Sequence, residues 1–141
     1  MAAASRRSSS AARLAAAALA CVTGAVQAQQ VPDRDYAPAI HHPMYEVGKG
    51  PAVCVDQAHH NFHTLGERFA AFGNLVARDG YRPVESATPF TAAALAACDV
   101  LVISNAQPND DEWNTYPRPT PSAFTAAEIA AVHDWVARGH A

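Results

Sequence analysis

The chain has no stretch near the roughly 20 consecutive apolar residues that a membrane-spanning helix needs. Basic clusters are missing too: 10 Lys and Arg stand against 13 Asp and Glu. That balance argues against a nucleic-acid partner, whose phosphates demand a dense Lys/Arg face, and against an anionic membrane surface. No Gly-x-Ser-x-Gly elbow occurs, so a hydrolase serine of that kind is excluded. The glycines, 7 in all, form no phosphate-cradling loop after a strand, which disfavours mononucleotide sites of the P-loop or Rossmann type. Cysteine is scarce, with 3 residues.

The first thirty residues have the make-up of an export signal: Arg6, Arg7 and Arg13, an apolar run from Leu14 to Val26, and the small-residue pattern Val26-Gln27-Ala28. Residues 1–28 are therefore expected to be a signal peptide, and the protein to be exported to a bacterial periplasm or beyond the cell. Twin-arginine export through Arg6-Arg7 and lipid attachment at Cys21 are the less favoured readings. Cleavage would leave about 113 residues with 7 basic and all 13 acidic side chains, one small acidic domain. Cys54 and Cys98 would remain. Both fall at or beside apolar runs, and two separate buried thiols are preferred over a disulfide.

Residues 29–50 carry three prolines and two glycines without a period and read as an extended leader; His41 and His42 fall there as an exposed loop pair. From Pro51 on, strand and helix patterns alternate. "AVCVD" reads as a strand buried on both faces. Thr64 and Glu67 have capping-box spacing, so a helix is expected from near Leu65, with Leu65, Phe69, Phe72 and Val76 on one face and Gly80 as its stop. "YRPVES" reads as an edge strand because Pro83 cannot donate to a ladder. "PFTAAALAAC" reads as a short helix capped by Thr91, with Phe90 stapled to Leu95; "DVLVIS" as a third strand; and "AFTAAEIAAVHDWVARGHA" as a third helix with Thr125 and Glu128 as capping box and Phe124 and Ile129 as staple. Three strand–helix alternations predict a parallel α/β sheet of flavodoxin-like kind. Such a pattern calls for a further strand after the last helix, so residues 51–141 read as the N-terminal portion of a larger sandwich.

Parallel sheets bind ligands beyond the carboxyl ends of their strands, where successive crossovers leave in opposite directions. With the first strand between the second and third, that point lies between the loop "DQAHHNFHT" and the loop "NAQPNDDEWNTYPRPTPS". The candidate ligand-binding residues are therefore Asp56, His59, His60, Asn61 and His63, with Asn105 opening the facing loop. Asp56 could orient a histidine or accept loop amides. His59 and His63 are the candidate bases and the candidate metal ligands, although they straddle a turn and do not share one helix face; His63 could instead pack at the helix entrance. Asp110, Asp111 and Glu112 read as a solvated acidic tip more readily than as a hard-cation site. Trp113 and Tyr116 could stack on a ligand or pin the loop. His133 reads as a surface residue and His140 as part of a frayed end. The residues name no cofactor.

The runs "VDQAHHNFHT", "FAAFGNLVARDGYRPV", "DVLVISNA" and "PTPSAFTAAEIAAVHDWVARG" together resemble a bacterial family, domain of unknown function 4350. It is related to the class I glutamine amidotransferase-like superfamily and is often exported. Asp56, Ala58, His59, Asn61, Phe62, His63 and Thr64 match its pattern, and Gln57 stands where a glutamate is usual. The resemblance, over about residues 51–139, implies a flavodoxin-like sandwich with a site at the His59–His63 loop, not amidotransferase chemistry, because the cysteine elbow is missing. The family pattern would run on after "VARG" into another aliphatic strand, so a truncated or frame-shifted reading of a longer gene is expected. Three functional expectations follow: a module that binds a small polar ligand or substrate; a hydrolase, metal-assisted or not, using His59 or His63; or a non-functional fragment with an uncovered edge strand.

Overall fold

The computed structural model describes residues 31–111 and 114–141. The signal-peptide reading, Cys21, Glu112 and Trp113 lie outside the described residues. Three strands, β1 (Ala52–Asp56), β2 (Arg82–Ser86) and β3 (Val100–Val102), alternate with three helices, α1 (Ala70–Arg78), α2 (Ala92–Leu95) and α3 (Ala126–Ala137). The sheet is wholly parallel in the order β2-β1-β3. Every residue of β1 is buried, which is why "AVCVD" alternates nothing: a central parallel strand has no solvent face. β2 is an edge strand and accommodates Pro83 opposite Val53. Among the described residues no helix is long and apolar enough to cross a membrane.

Two helix starts follow their sequence signals. The Thr91 hydroxyl accepts the Ala94 amide at 3.1 Å, and Phe90 and Leu95 join one buried cluster. At α3 the capping box is complete, Thr125 accepting from the Glu128 amide while the Glu128 carboxylate accepts from the Thr125 amide.

The helix expected from Leu65 instead begins at Ala70. Residues 65–69 form turns in which the Thr64 carbonyl accepts from the amides of Glu67 and Phe69. The Glu67 carboxylate that would have closed a capping box is drawn out to Arg34 at 2.7 Å. The helix stops where Gly80, at φ +95°, lets the chain turn back, with Gly80 donating to Ala77 and Tyr81 to Val76. Residues 31–50 cross the surface, in turns and bends more than in extended chain. Arg34, Pro38, Met44 and Tyr45 bond along α1 and its end, and His41 and His42 are exposed as expected.

Three further expectations change. Cys54 and Cys98, read as separate thiols, form a disulfide with Cα atoms 5.6 Å apart. Sequence hides this, because Cys98 reaches β1 only once α2 has crossed the sheet. β3 is shorter than "DVLVIS", since the chain leaves the ladder at Ile103. Ile129, expected as the staple partner of Phe124, is 54% exposed; the Phe124 ring stacks on Phe90 at 5.9 Å and meets the His59 ring at 4.7 Å. His133 is exposed. His140 is not frayed, as its ring stacks on Trp135 at 4.7 Å.

Candidate functional site

The loops leaving β1 and β3 stand side by side at the carboxyl end of the sheet. They are tied together by backbone and side chain: the Gln107 amide donates to the His59 carbonyl at 2.8 Å, and Asn61 Nδ2 donates to the Ser104 carbonyl at 2.9 Å. One non-glycine residue in each loop takes a left-handed conformation, His60 at φ +48° and Asn105 at φ +40°. Such backbone persists only where its surroundings impose it, and it is concentrated at ligand sites.

Asp56 ends β1 fully buried. It accepts from the Ala58 amide at 3.1 Å, from Asn61 Nδ2 at 3.1 Å and from His59 Nδ1 at 2.8 Å. His59, 6% exposed, also reaches across to α3, where its Nε2 lies 2.8 Å from Glu128 Oε1. Glu128 completes the set by accepting from the Phe90 amide at 3.2 Å and from both the amide and hydroxyl of Thr125. Each ring nitrogen of His59 thus faces a carboxylate oxygen, and only a proton on each satisfies both contacts. Burial opposes a charged ring, but the hydrogen bonds to Glu128 and Asp56, reinforced by their charges, win and raise the His59 pKa above that of an ordinary histidine. The Glu128 carboxyl is held down to about 2, chiefly by the Thr125 amide and, against desolvation, by His59, the Thr125 hydroxyl and the Phe90 amide. This carboxylate–imidazolium–carboxylate knot fixes the β1 loop to α3.

Outside the knot lies a crevice of about 550 Å³ walled by Gln57, Ala58, His60, Asn61, Phe62, Gln107, Asp110 and Asp111. His60 closes one side through Nδ1, 2.7 Å from Asp110. The Tyr116 hydroxyl pins the far wall, 2.7 Å from Gln107 Oε1 and 3.0 Å from the carbonyls of Asn109 and Asp111. Gln57 Nε2 is buried in the wall without a hydrogen-bond partner. An unmet amide donor is costly unless something polar reaches it.

Of the sequence-derived site residues, Asp56, His59 and Asn61 form one network, and Asn61 and His60 line the crevice. His63 turns to the neighbouring side, with Nδ1 3.0 Å from Asn105 Oδ1, 3.4 Å from Ser104 Oγ, and its ring packed 4.9 Å from Phe69 at the entrance of α1. His59 and His63 are therefore not aimed at a common point. Among the described residues no group of three or more His, Cys, Asp or Glu is placed to hold a metal ion. Asp110 and Asp111 are solvent-exposed, as expected of an acidic tip, and each also has a partner, His60 and Asn109 respectively. Sequence reasoning missed Glu128, whose capping spacing explains one of its carboxylate oxygens and leaves the other unassigned. It missed Gln57 and Gln107 too, for which spacing carries no signal.

No family model matches the chain, and no match was found among curated proteins or solved structures.

Proposed function

We propose that this chain is an exported, amidotransferase-like α/β domain that binds a small polar ligand in the crevice between the β1 and β3 loops. The observation that carries the reading is the crevice itself: amide and carboxylate side chains from two tied loops converge on it at the strand ends. The chemistry of the wall suits a ligand with amine or hydroxyl donors, for Asp110 and Gln107. Export is supported by the signal-like N-terminal sequence and by the Cys54–Cys98 disulfide, a bond that persists in oxidising compartments.

The hydrolase alternative rests on His63, whose Nδ1 lies 3.4 Å from Ser104 Oγ. His59 gives it no help, since both of its ring nitrogens are already engaged by buried carboxylates. The binding reading is tested by thermal-shift and chemical-shift titration with amino acids, small sugars and polyamines. A compound that stabilises the wild type and loses most of its effect in Asp110→Ala and in Gln57→Leu supports it. If none of these compounds binds, or if binding survives both substitutions unchanged, the crevice is not the site. N-terminal sequencing of the secreted product tests export separately, with Gln29 expected as the first residue.

A further inference from the structure

The segment that crosses the surface before β1 is bonded to α1 at two points about one helical turn apart. Asn74 Nδ2 donates to the Arg34 carbonyl at 2.9 Å, and Arg78 Nε donates to the Pro38 carbonyl at 2.8 Å. From Asn74 to Arg78 the helix rises only about 6 Å, whereas the chain from Arg34 to Pro38 could reach about 13 Å if extended. A turn at Arg34 and Asp35 takes up the slack, and the segment bows between its two footings. A groove of about 240 Å³ lies there, walled on one side by Asp35, Tyr36 and Ala37 and on the other by Asn74, Ala77 and Arg78. It shares no wall residue with the crevice between the β1 and β3 loops.

The groove carries two opposite charges that do not satisfy each other. Arg78 and Asp35 both line it, yet among the described residues neither belongs to an ion pair. Arg34 at the same groove is already neutralised by Glu67 at 2.7 Å. The bond from Nε to Pro38 fixes the plane of the Arg78 guanidinium and uses one of its five N–H donors, leaving the terminal fork that matches a carboxylate. Asn74 spends a donor on Arg34, and its Oδ1 has no hydrogen bond among the described residues. Ala37 and Ala77 are short and leave the space between the charges open, while the Tyr36 ring, 42% exposed, supplies an apolar side. A plain anion here would meet the Asp35 carboxylate and a plain cation would meet Arg78, each against a like charge. A molecule with both charges avoids both penalties. We propose that this groove binds a small zwitterion of the α-amino acid class, its carboxylate on the Arg78 fork and its ammonium on Asp35 and Asn74 Oδ1. Such a ligand bridges the surface segment and the helix, and its binding tightens the hold of residues 31–50 on α1.

The test titrates the full chain with glycine and with alanine while following the Arg78 Nε–H signal and the backbone amides of residues 35–37 and 74–78 by NMR. Saturable shifts are expected at these positions, whereas acetate and methylamine, which carry one charge each, should give none at the same concentrations. Arg78→Gln and Asp35→Asn should each weaken glycine binding about fivefold, the upper range for an exposed charge pair. Ala77→Leu fills the groove without changing a charge and should abolish the shifts in a chain whose amide spectrum remains that of the folded protein. The proposal is overturned if glycine and alanine shift nothing here or shift the crevice residues alone. It is equally overturned if acetate or methylamine binds as tightly as glycine, or if glycine binding is unchanged in all three variants.

Discussion

His59 and His60 are neighbours in the chain and differ in every physical respect. His59 is 6% exposed and held between two carboxylates on different elements; the His60 side chain is 41% exposed and touches one carboxylate that is itself 88% exposed. The first has a carboxylate oxygen at each ring nitrogen, and hydrogen bonds to Glu128 and Asp56 raise its pKa against the burial that opposes charge. The second is free to exchange its partner for solvent or for a ligand. The difference places two settings side by side in the histidine run, a buried contact between the β1 loop and α3 and an exposed one at the crevice edge.

The sharpest way to break that contrast is Glu128→Ala. It leaves the buried His59 imidazolium facing one carboxylate only and frees the Phe90 amide. Removing one partner of a buried pair costs on the order of 3–5 kcal/mol, so denaturant titration should show the chain unfolded or nearly so, whereas a loss below about 1 kcal/mol would mean that the knot is not structural. Next comes pH. Glu128 falls from 4.5 to about 2 on folding, so its contribution is present above pH 4.5 and is lost as pH falls toward 2. By linkage this amounts to roughly 3 kcal/mol. His59 is raised above 6.5, so its contribution is complete below pH 6.5 and is lost as pH rises through its folded pKa. Stability should therefore peak between about pH 4.5 and 6.5, and a melting temperature still climbing from pH 6.5 to 9 would contradict an imidazolium at His59. The smallest effect is expected at the rim: His60→Ala or Asp110→Ala should change stability by less than about 1 kcal/mol, as exposed pairs do, while weakening any ligand found in the crevice. A rim substitution as damaging as Glu128→Ala would erase the distinction.

Much of the frame was legible because its signals are local. Thr91, Thr125 and the apolar run of β1 act within a few residues of themselves, and their elements formed as expected. Thr64 and Glu67 carry an equally good local signal that failed, because Arg34, 33 residues away, competes for the carboxylate. The place of the crevice followed from strand order, which parallel crossovers constrain tightly. Its chemistry did not, since the His59–Glu128 contact spans 69 residues and the Cys54–Cys98 bond spans 44, and neither leaves a trace in spacing.

The disulfide closes a covalent ring from Cys54 to Cys98. The near wall of the crevice, Gln57 to Phe62, lies inside that ring. The far wall, Gln107 to Asp111, lies outside it and is joined to the near wall through Gln107 to His59, Asn61 to Ser104 and His60 to Asp110. One wall of the crevice is thus set within a covalent ring, and the other is fastened to it by three hydrogen bonds that any change of partner at the rim would loosen.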